Sequence, residues 1–485
     1  MERTRKTKIV ATIGPACSAE KPLRRLIEAG VNVCRLNFSH GSHASHAQVL
    51  ARVRKIRAEL DRPVAVLQDL CGPKIRVTCL PGGAVELVEG QEVEVVAGLA
   101  ESQDPRQIGA SLENLANNAE PGHRLLLDDG LLELRIVAVD KAEGRLRCVV
   151  VYGGLLRERK GINLPDTQLD VPSLTAKDER DLAWGIEHGV DYVALSFVRH
   201  EDDVLAIRER TAGMTLPPRI IAKIEKPEAL QRLDAIVEAF DGVMVARGDL
   251  SVETPLHKVP ALQKRIIRTA NLHDKVVITA TQMLDSMQER PRPTRAEVSD
   301  VANAIYDGTD AVMLSGETAS GKHPVESVQV MDRIAAAADV DADSFWGSRR
   351  YESRVDRRTF CDPICAGALV VAEEVRACCL VAFTSTGKTA LYMSKYYPAV
   401  PVLGLTTEAR TYARMALFRG VSPGLIEPSD RSEELVRQAE RIILRRGFGK
   451  EGDVVVFVGG TNLDAAGNVN SLKVRRIGDT SPVGS

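Results

Sequence analysis

Eight short apolar runs, most of them separated by helical patterns, constrain this chain more than any other feature. They are Lys8–Gly14, Val31–Phe38, Val64–Asp69, Asp191–Phe197, Arg219–Glu225, Gly242–Arg247, Val276–Thr281 and Ala311–Leu314. Near-continuous apolar runs mark strands buried on both faces, as in a parallel sheet covered by helices. Helical periodicity separates most of them, as in Lys177–His188, Val259–His273 and Arg295–Tyr306. Eight β-α units predict a closed (β/α)8 barrel. The stretch from Arg219 to Glu253 shows the unit most clearly. A β-branched strand ends in Lys223 and Glu225. A helix follows, with Pro227 in its first turn and Leu230, Leu233, Ile236 and Val237 on one face. The next strand ends in Arg247, Gly248 and Asp249. Polar residues are stored where a barrel does its chemistry, at the carboxyl ends of the strands.

One gap breaks the rhythm. Between Asp69 and Asp191, turn pairs such as Asp129-Gly130 and Gly153-Gly154 punctuate alternating segments such as AVELVEGQEVEVV. That is antiparallel texture. It predicts a small β-barrel domain, residues 72–167, inserted after the third strand and placed to act as a lid. The catalytic barrel then comprises residues 1–71 and 168–344. Beyond it, residues 345–485 resume α/β alternation: helices are expected at Ile364–Arg376, Thr389–Tyr397 and Ser432–Arg446, and strands at Cys379–Thr384, Val400–Thr406 and Asp453–Gly459. The polar stretch SFWGSRRYESRVDRRT is expected to connect the two.

At 485 residues and a net charge of −2, nothing marks a nucleic-acid or membrane-surface binder. No apolar run is long enough to span a bilayer, and the N-terminus enters a strand without an apolar signal region, which predicts a cytoplasmic protein. Aromatic residues make up 4%, in keeping with a barrel core of Val, Ile, Leu and Ala. The nine cysteines show no paired zinc motif, and Cys361 and Cys365, at helical spacing, are expected to pack in a core. Met283, Met287 and Trp184 are expected in the core as well, and His43 and His46 at a helix cap.

Six strands end in polar residues suited to one purpose. Arg35, Asn37 and Ser39 fall on one side of the second strand, where Arg35 can grip phosphate with its fork of donors. Asp69 closes the third, followed by Leu70, Lys74 and Arg76. Glu225 and Asp249 are two carboxylates able to hold Mg²⁺ (or Mn²⁺), which keeps places for substrate oxygens. Lys223 can neutralise a phosphoryl group in transfer. Thr281 and Ser315 close the last two strands. Taken alone, Lys223–Glu225 also reads as a surface pair and Asp249 as a helix cap; six such strand ends together favour a phosphate and metal site.

The segments LNFSHG, GPKIR, KIEKPE, MVARGDL, TATQML, RPTRAEVSDVANA and MLSGETASGKHP run in order from Thr7 to about Lys322 and closely resemble the pyruvate kinase family. The C-terminal third is similar to that family's effector domain. The resemblance implies phosphoryl transfer from phosphoenolpyruvate to ADP, giving pyruvate and ATP. It implies Glu225 and Asp249 as Mg²⁺ ligands, with Lys223 and Arg35 on the transferring phosphate. Gly248, Asp249 and Thr281 would contact the substrate, the first two through backbone N–H groups at a helix N-terminus. Asn37, Ser39, His40, Arg76 and Lys160 match nucleotide-side positions. Thr281 and Ser315 both remain open as relays of the proton to the enolate. The family's K⁺ ligands match Asn37, Ser39, Asp69 and the Leu70 carbonyl, but K⁺-requiring members have Glu where this chain has Lys74, so K⁺ independence is expected on charge balance.

The loop Thr384-Ser385-Thr386-Gly387-Lys388-Thr389 resembles the family's sugar-phosphate effector loop, with helix capping by Thr386 as the alternative reading. The late loop Gly459-Gly460-Thr461-Asn462-Leu463-Asp464 lacks Trp and added basic residues. A sugar monophosphate or AMP is therefore expected as activator over fructose bisphosphate. A homotetramer is expected by analogy. Two rival functions fit less well: an enolate-forming barrel enzyme acting on carbon–carbon bonds, against which the inserted domain speaks, and a catalytically dead sugar-phosphate sensor, against which the intact Arg35, Lys223, Glu225, Asp249 and Thr281 speak.

Overall fold

A computed structural model describes residues 5–167, 171–347, 361–460 and 469–479. Its barrel strands are β1 (Lys8–Thr12), β2 (Val33–Asn37), β3 (Ala65–Asp69), β4 (Tyr192–Leu195), β5 (Arg219–Ile224), β6 (Gly242–Ala246), β7 (Val276–Ala280) and β8 (Ala311–Leu314). They close in the parallel order β1-β8-β7-β6-β5-β4-β3-β2. Each strand ends one or two residues before the apolar run does, except β3 and β8. The overrun residues, among them Ser196, Glu225 and Thr281, have left the ladder and face the rim.

The strand period of two decides which side chains enter the barrel. Val33 packs in the interior cluster while Cys34 and Leu36 pack outward against the helices, so Arg35 shares the inner face with Val33. By the same alternation Leu67 leads to Asp69, Ala194 to Ser196, Ile221 to Lys223 and Met313 to Ser315. The interior is apolar below and polar in its uppermost layer. That apolar interior continues downward into the C-terminal domain: Tyr192, Ile221 and Met244 belong to one cluster with Leu417, Phe418 and Val421. The Tyr192 hydroxyl donates to the Arg414 carbonyl at 2.8 Å, so the C-terminal domain plugs the amino-terminal mouth of the barrel.

Between β3 and β4 stands a second sheet with its own core, from Ile75 to Leu164. Six strands run in the order Ile162–Asn163, Arg124–Leu127, Leu132–Asp140, Arg145–Tyr152, Glu92–Ala97, Gln107–Ala110, beside a two-stranded ribbon of Ala84–Leu87 and Gly154–Arg157. The expected small barrel is completed only by isolated bridges: Val77 pairs with Ala110 at one edge and Arg76 with Gly161 near the other. The C-terminal sheet has the order Val421–Leu425, Val402–Thr406, Cys379–Phe383, Val454–Gly459, Ser471–Arg476, the last strand antiparallel. Its two outermost strands and the helix Ala409–Arg414 escaped the sequence reading. VSPGL carries Pro and Gly, and SLKVRR is a charged edge strand with little apolar signal.

The helix Pro324–Gly347 runs three residues past the expected barrel boundary. The rest of the expected connector, from Ser348, lies outside the described residues. Met283, Met287 and Trp184 are core residues as expected. Cys361 and Cys365 are buried on one helix with their sulfurs 4.0 Å apart, and no cluster of three or more metal-ligating side chains occurs among the described residues. Among those residues no helix is long and apolar enough to cross a membrane.

Candidate active site

Lys223, near the end of β5, sits at the centre of the upper layer. Its ammonium lies 2.9 Å from Glu225 Oε1 and 3.4 Å from Asp69 Oδ1, and donates to Ser196 Oγ at 2.8 Å. Arg35 donates from Nε to Asp69 Oδ2 at 2.7 Å and from Nη1 to Thr12 Oγ1 at 2.9 Å. Five strands thus place two cations around one buried carboxylate. Burial alone would raise Asp69, but the Lys223 ammonium and Arg35 guanidinium hold it below the usual carboxylate range. Burial would likewise lower Lys223, yet Asp69, Glu225 and Asp249 together keep it above an ordinary lysine. Lys223 is therefore a fixed positive charge, not a proton donor.

Glu225 is fully buried. Its Oε2 accepts the Phe197 N–H at 2.8 Å. Its Oε1 meets Lys223 as an ion pair but accepts no well-directed hydrogen bond. Burial pushes this carboxyl upward, and the nearby Asp249 adds to the rise. Two interacting carboxylates, one with an oxygen lacking a directed partner, fit a divalent cation, which would relieve both the desolvation and the repulsion. Lys74 Nζ lies 3.9 Å from Asp249 Oδ1 with its side chain 30% exposed, so it turns toward the rim instead of into solvent. Of the expected K⁺ ligands, the Leu70 carbonyl accepts Ser196 Oγ at 2.6 Å, Asn37 Oδ1 accepts the Ser39 N–H at 3.1 Å, and Asp69 is bound as above.

Thr281 lies on a strained turn. It has φ 68°, and Gln282 follows at φ 51°, a region that β-branched residues avoid. Arg247 holds the turn: it donates to the Ala280 carbonyl at 3.1 Å and the Thr281 carbonyl at 2.6 Å, and pairs with Asp300 at 2.7 Å. The Gly248 N–H donates to Thr281 Oγ1 at 2.7 Å. The amide expected to face a substrate carboxylate thus lies beside the Thr281 hydroxyl, which was expected to contact the same substrate. Ser315 Oγ is buried with no partner, while the Ser315 and Leu284 N–H groups donate to the buried Glu317. Phe197, at φ 56°, is a third strained residue on this rim.

On the nucleotide side, Arg76 Nη1 donates to the Arg159 carbonyl and Lys160 pairs with Asp128 at 2.8 Å, both within the inserted domain. Asn37 and Ser39 are partly buried and His40 exposed at the end of β2. Among the described residues no hydrogen bond or ion pair joins the two sets, so each wall keeps its own partners. His43 and His46 are not the cap: Ser42 and Ser45 form a capping box, His43 binds Asp181 at 2.7 Å, and His46 stacks on Phe38 while bonding the His40 carbonyl. The sequence reading overlooked Thr12 and Ser196, although both fall on the inner face by the period-two rule that marked Arg35. It also gave no role to Arg247 and Glu317, which act on backbone groups that no spacing reveals.

In the C-terminal domain, Thr384 and Thr389 are buried, and Thr384 Oγ1 accepts the Gly387 N–H at 2.9 Å. The helix Lys388–Lys395 starts from Gly387 (φ 84°) without a side-chain cap, so Thr386 is not its cap. The loop presents Ser385, Thr386 and Lys388, not all four hydroxyls. The late-loop residues Thr461, Asn462, Leu463 and Asp464 lie outside the described residues.

Two family models match the chain: "Pyruvate kinase, barrel domain" over residues 4–328 and "Pyruvate kinase, alpha/beta domain" over residues 362–475. The chain is 43% identical over 478 residues to a pyruvate kinase of Geobacillus stearothermophilus, covering 98% of this chain and 81% of that one. It is 44% identical over 474 residues to pyruvate kinase 2 of Synechocystis, covering 97% and 79%. It is 40% identical over 475 residues to a pyruvate kinase of Clostridium acetobutylicum, covering 97% and 99%.

Proposed function

Because the chain belongs to the pyruvate kinase family of phosphotransferases, we propose that its barrel rim moves the phosphoryl group of phosphoenolpyruvate to ADP, giving pyruvate and ATP. The bond from phosphorus to the enol oxygen breaks, and a bond to a terminal oxygen of ADP forms. Such transfers need positioning and charge neutralisation more than covalent help. The observation that carries the reading is the Lys223 ammonium, held between Asp69, Glu225 and Ser196 on a rigid strand. It neutralises the phosphoryl oxygens as they pass, with Arg35 fixed beside it. Glu225 and Asp249 would hold Mg²⁺ (or Mn²⁺), which when bound supplies further positive charge to substrate oxygens. Thr281, on its braced turn, and the partnerless hydroxyl of Ser315 stand on adjacent strands. Either can order the water that delivers a proton to the enolate carbon. Asn37, Ser39, His40, Arg76 and Lys160 line the nucleotide side, and the inserted domain closes over it.

Lys74 places its ammonium beside the metal carboxylate, and the K⁺ ligands are largely engaged within the protein, which favours a K⁺-independent enzyme. The loop Thr384–Thr389 takes a phosphorylated effector, a sugar monophosphate or AMP. A cytoplasmic homotetramer fits this reading. The test is pyruvate formation from phosphoenolpyruvate and ADP, followed by a coupled reaction in K⁺-free buffer with a bulky organic cation. Turnover that K⁺ does not stimulate, with a K⁺ requirement gained in Lys74→Glu, supports the assignment. Absence of pyruvate formation with Mg²⁺ and with Mn²⁺ rejects the activity, and strong K⁺ stimulation of the unaltered protein rejects the role of Lys74.

A further inference from the structure

Among the described residues, two side chains of the inserted domain make polar contact with one short helix of the barrel rim, Arg247–Glu253. Lys74 Nζ lies 3.9 Å from Asp249 Oδ1 in its first turn. Asn163 Nδ2 donates to Glu253 Oε1, at its end, at 2.7 Å. Asp249 and Glu253 are four residues apart, so they share one face of the helix. Lys226 Nζ donates to the same Glu253 oxygen at 2.6 Å. The Glu253 side chain is 1% exposed, although it lies at the seam between two domains. Lys226 follows Glu225 in the chain, and its ammonium lies 5.8 Å from the ring centroid of Phe197, whose N–H holds Glu225.

One carboxylate therefore joins three parts of the site: the inserted domain, the helix that carries Asp249, and the segment that carries Glu225. No step of the proposed transfer uses it. As a partner for Lys226 alone, Glu253 would need nothing from the other domain, and the Asn163 bond is what that account leaves over. Asn163 ends the edge strand Ile162–Asn163 of the inserted sheet, so its amide reaches outward across the seam. Away from water, a carboxylate accepting from an ammonium and an amide is firmly held. When the domain lifts, Asn163 leaves with it, Lys226 stays, and water takes the freed lone pair. The bond breaks and re-forms without stranding a charge. A hydrogen bond to a charged group shifts a two-state equilibrium by roughly ten- to a hundredfold.

We propose that Glu253 is a positioning residue. With Asn163 it latches the inserted domain over the rim, and with Lys226 it ties that closure to the two carboxylates that would hold the metal. Arg76 and Lys160 ride on the same domain, so the latch sets the nucleotide side of the site against the metal side. The kinetic consequence rests on the proposed transfer to ADP; the latch itself rests on the contacts between the domains.

The experiment is hydrogen–deuterium exchange of the full-length protein without substrates, together with ADP kinetics and urea unfolding. Asn163→Asp sets a second carboxylate against Glu253. It is expected to speed exchange in the helix Arg247–Glu253 by about tenfold or more. KM for ADP should rise by a similar factor, with kcat changed less and the urea midpoint close to the parent's. Asn163→Ala, which only deletes the bond, is expected to act in the same direction and more weakly. Asn163→Asp combined with Glu253→Gln exchanges donor and acceptor, keeps a carboxylate for Lys226, and is expected to return exchange and KM to near the parent values. Unchanged exchange in Asn163→Asp overturns the proposal, as does a double variant no better than the single one. A lowered midpoint with faster exchange throughout the inserted domain makes Asn163 part of that domain's own fold and also overturns it. A parent protein that forms no pyruvate rejects the transfer, and exchange then decides the latch by itself.

Discussion

At the floor of the barrel Lys395 and Asp310 form an ion pair with both side chains 1% exposed. Lys395 also donates to Asn271 Oδ1 at 2.8 Å, Asp310 accepts the Val277 N–H at 2.7 Å, and the Asn271 amide is shared between Tyr397 and the Gly308 carbonyl. At the rim the Lys223 side chain is 12% exposed, and its surroundings are unfinished: Glu225 Oε1 lacks a directed hydrogen bond and Ser315 Oγ has none. Three non-glycine residues there, Phe197, Thr281 and Gln282, take left-handed backbone conformations. Both ends bury charge, so burial does not identify the site. Incomplete coordination and stored strain do, because a closed network has nothing left to give a substrate.

Substitutions at the two ends break this comparison in different observables. Lys395→Met leaves Asp310 buried without its cation. It is expected to lower stability by about 3–5 kcal/mol in urea unfolding, while turnover per folded molecule stays near the parent value. Lys223→Met is expected to do the reverse. Its loss in rate should be on the order of 10²-fold or more, about 2.7 kcal/mol in the barrier, with an unfolding midpoint close to the parent's. A rate near that of the parent protein would remove Lys223 from the chemistry. A large stability loss in that variant would make the rim a structural network like the floor.

A third test uses pH. Lys8, buried at the floor and bonded to the Val421 carbonyl at 2.8 Å, is lowered to about 7 by burial and by Arg5. In the unfolded chain it keeps its ordinary value near 10.5. Between those values the unfolded state binds one more proton, so this lysine makes stability rise with pH from about 7 to about 10, by at most about 1.4 kcal/mol per pH unit. Below pH 7 it contributes no slope. Chemical denaturation of the parent and Lys8→Met across pH 6–9 should show that difference in slope, and parallel curves would contradict it. The smallest effect is expected on the C-terminal edge. Glu433 bonds Lys473 and Arg475 of the last strand and is lowered to about 2, mainly by the bond to Lys473. Its contribution is present above the ordinary value of 4.5 and is lost as pH falls toward 2. Its side chain is half exposed, so Glu433→Gln should cost less than about 1 kcal/mol at neutral pH. A larger loss would mean that the edge strand depends on this pair.

Much of the molecule was legible in the order of its residues. Continuous apolar runs located all eight barrel strands, because a strand buried on both faces must be apolar along its length. Period two put Arg35 on one side of its strand with Asn37 and Ser39, and the polar strand ends, Asp69 and Lys223 among them, marked the rim. The inserted sheet was legible by its alternation, but its closure was not, because Val77–Ala110 and Arg76–Gly161 are single bridges between distant segments. Tertiary structure alone decided that Thr281 Oγ1 takes the Gly248 N–H, that Lys74 turns toward Asp249, and that Ser196 links Lys223 to the Leu70 carbonyl. It also decided that the C-terminal domain plugs the barrel floor, where Tyr192 bonds the Arg414 carbonyl. The reason is physical. Periodicity records which face of an element is buried, and that is a local property of the chain. Which groups meet across the barrel depends on register, strand tilt and the docking of separate domains, and no local pattern encodes those.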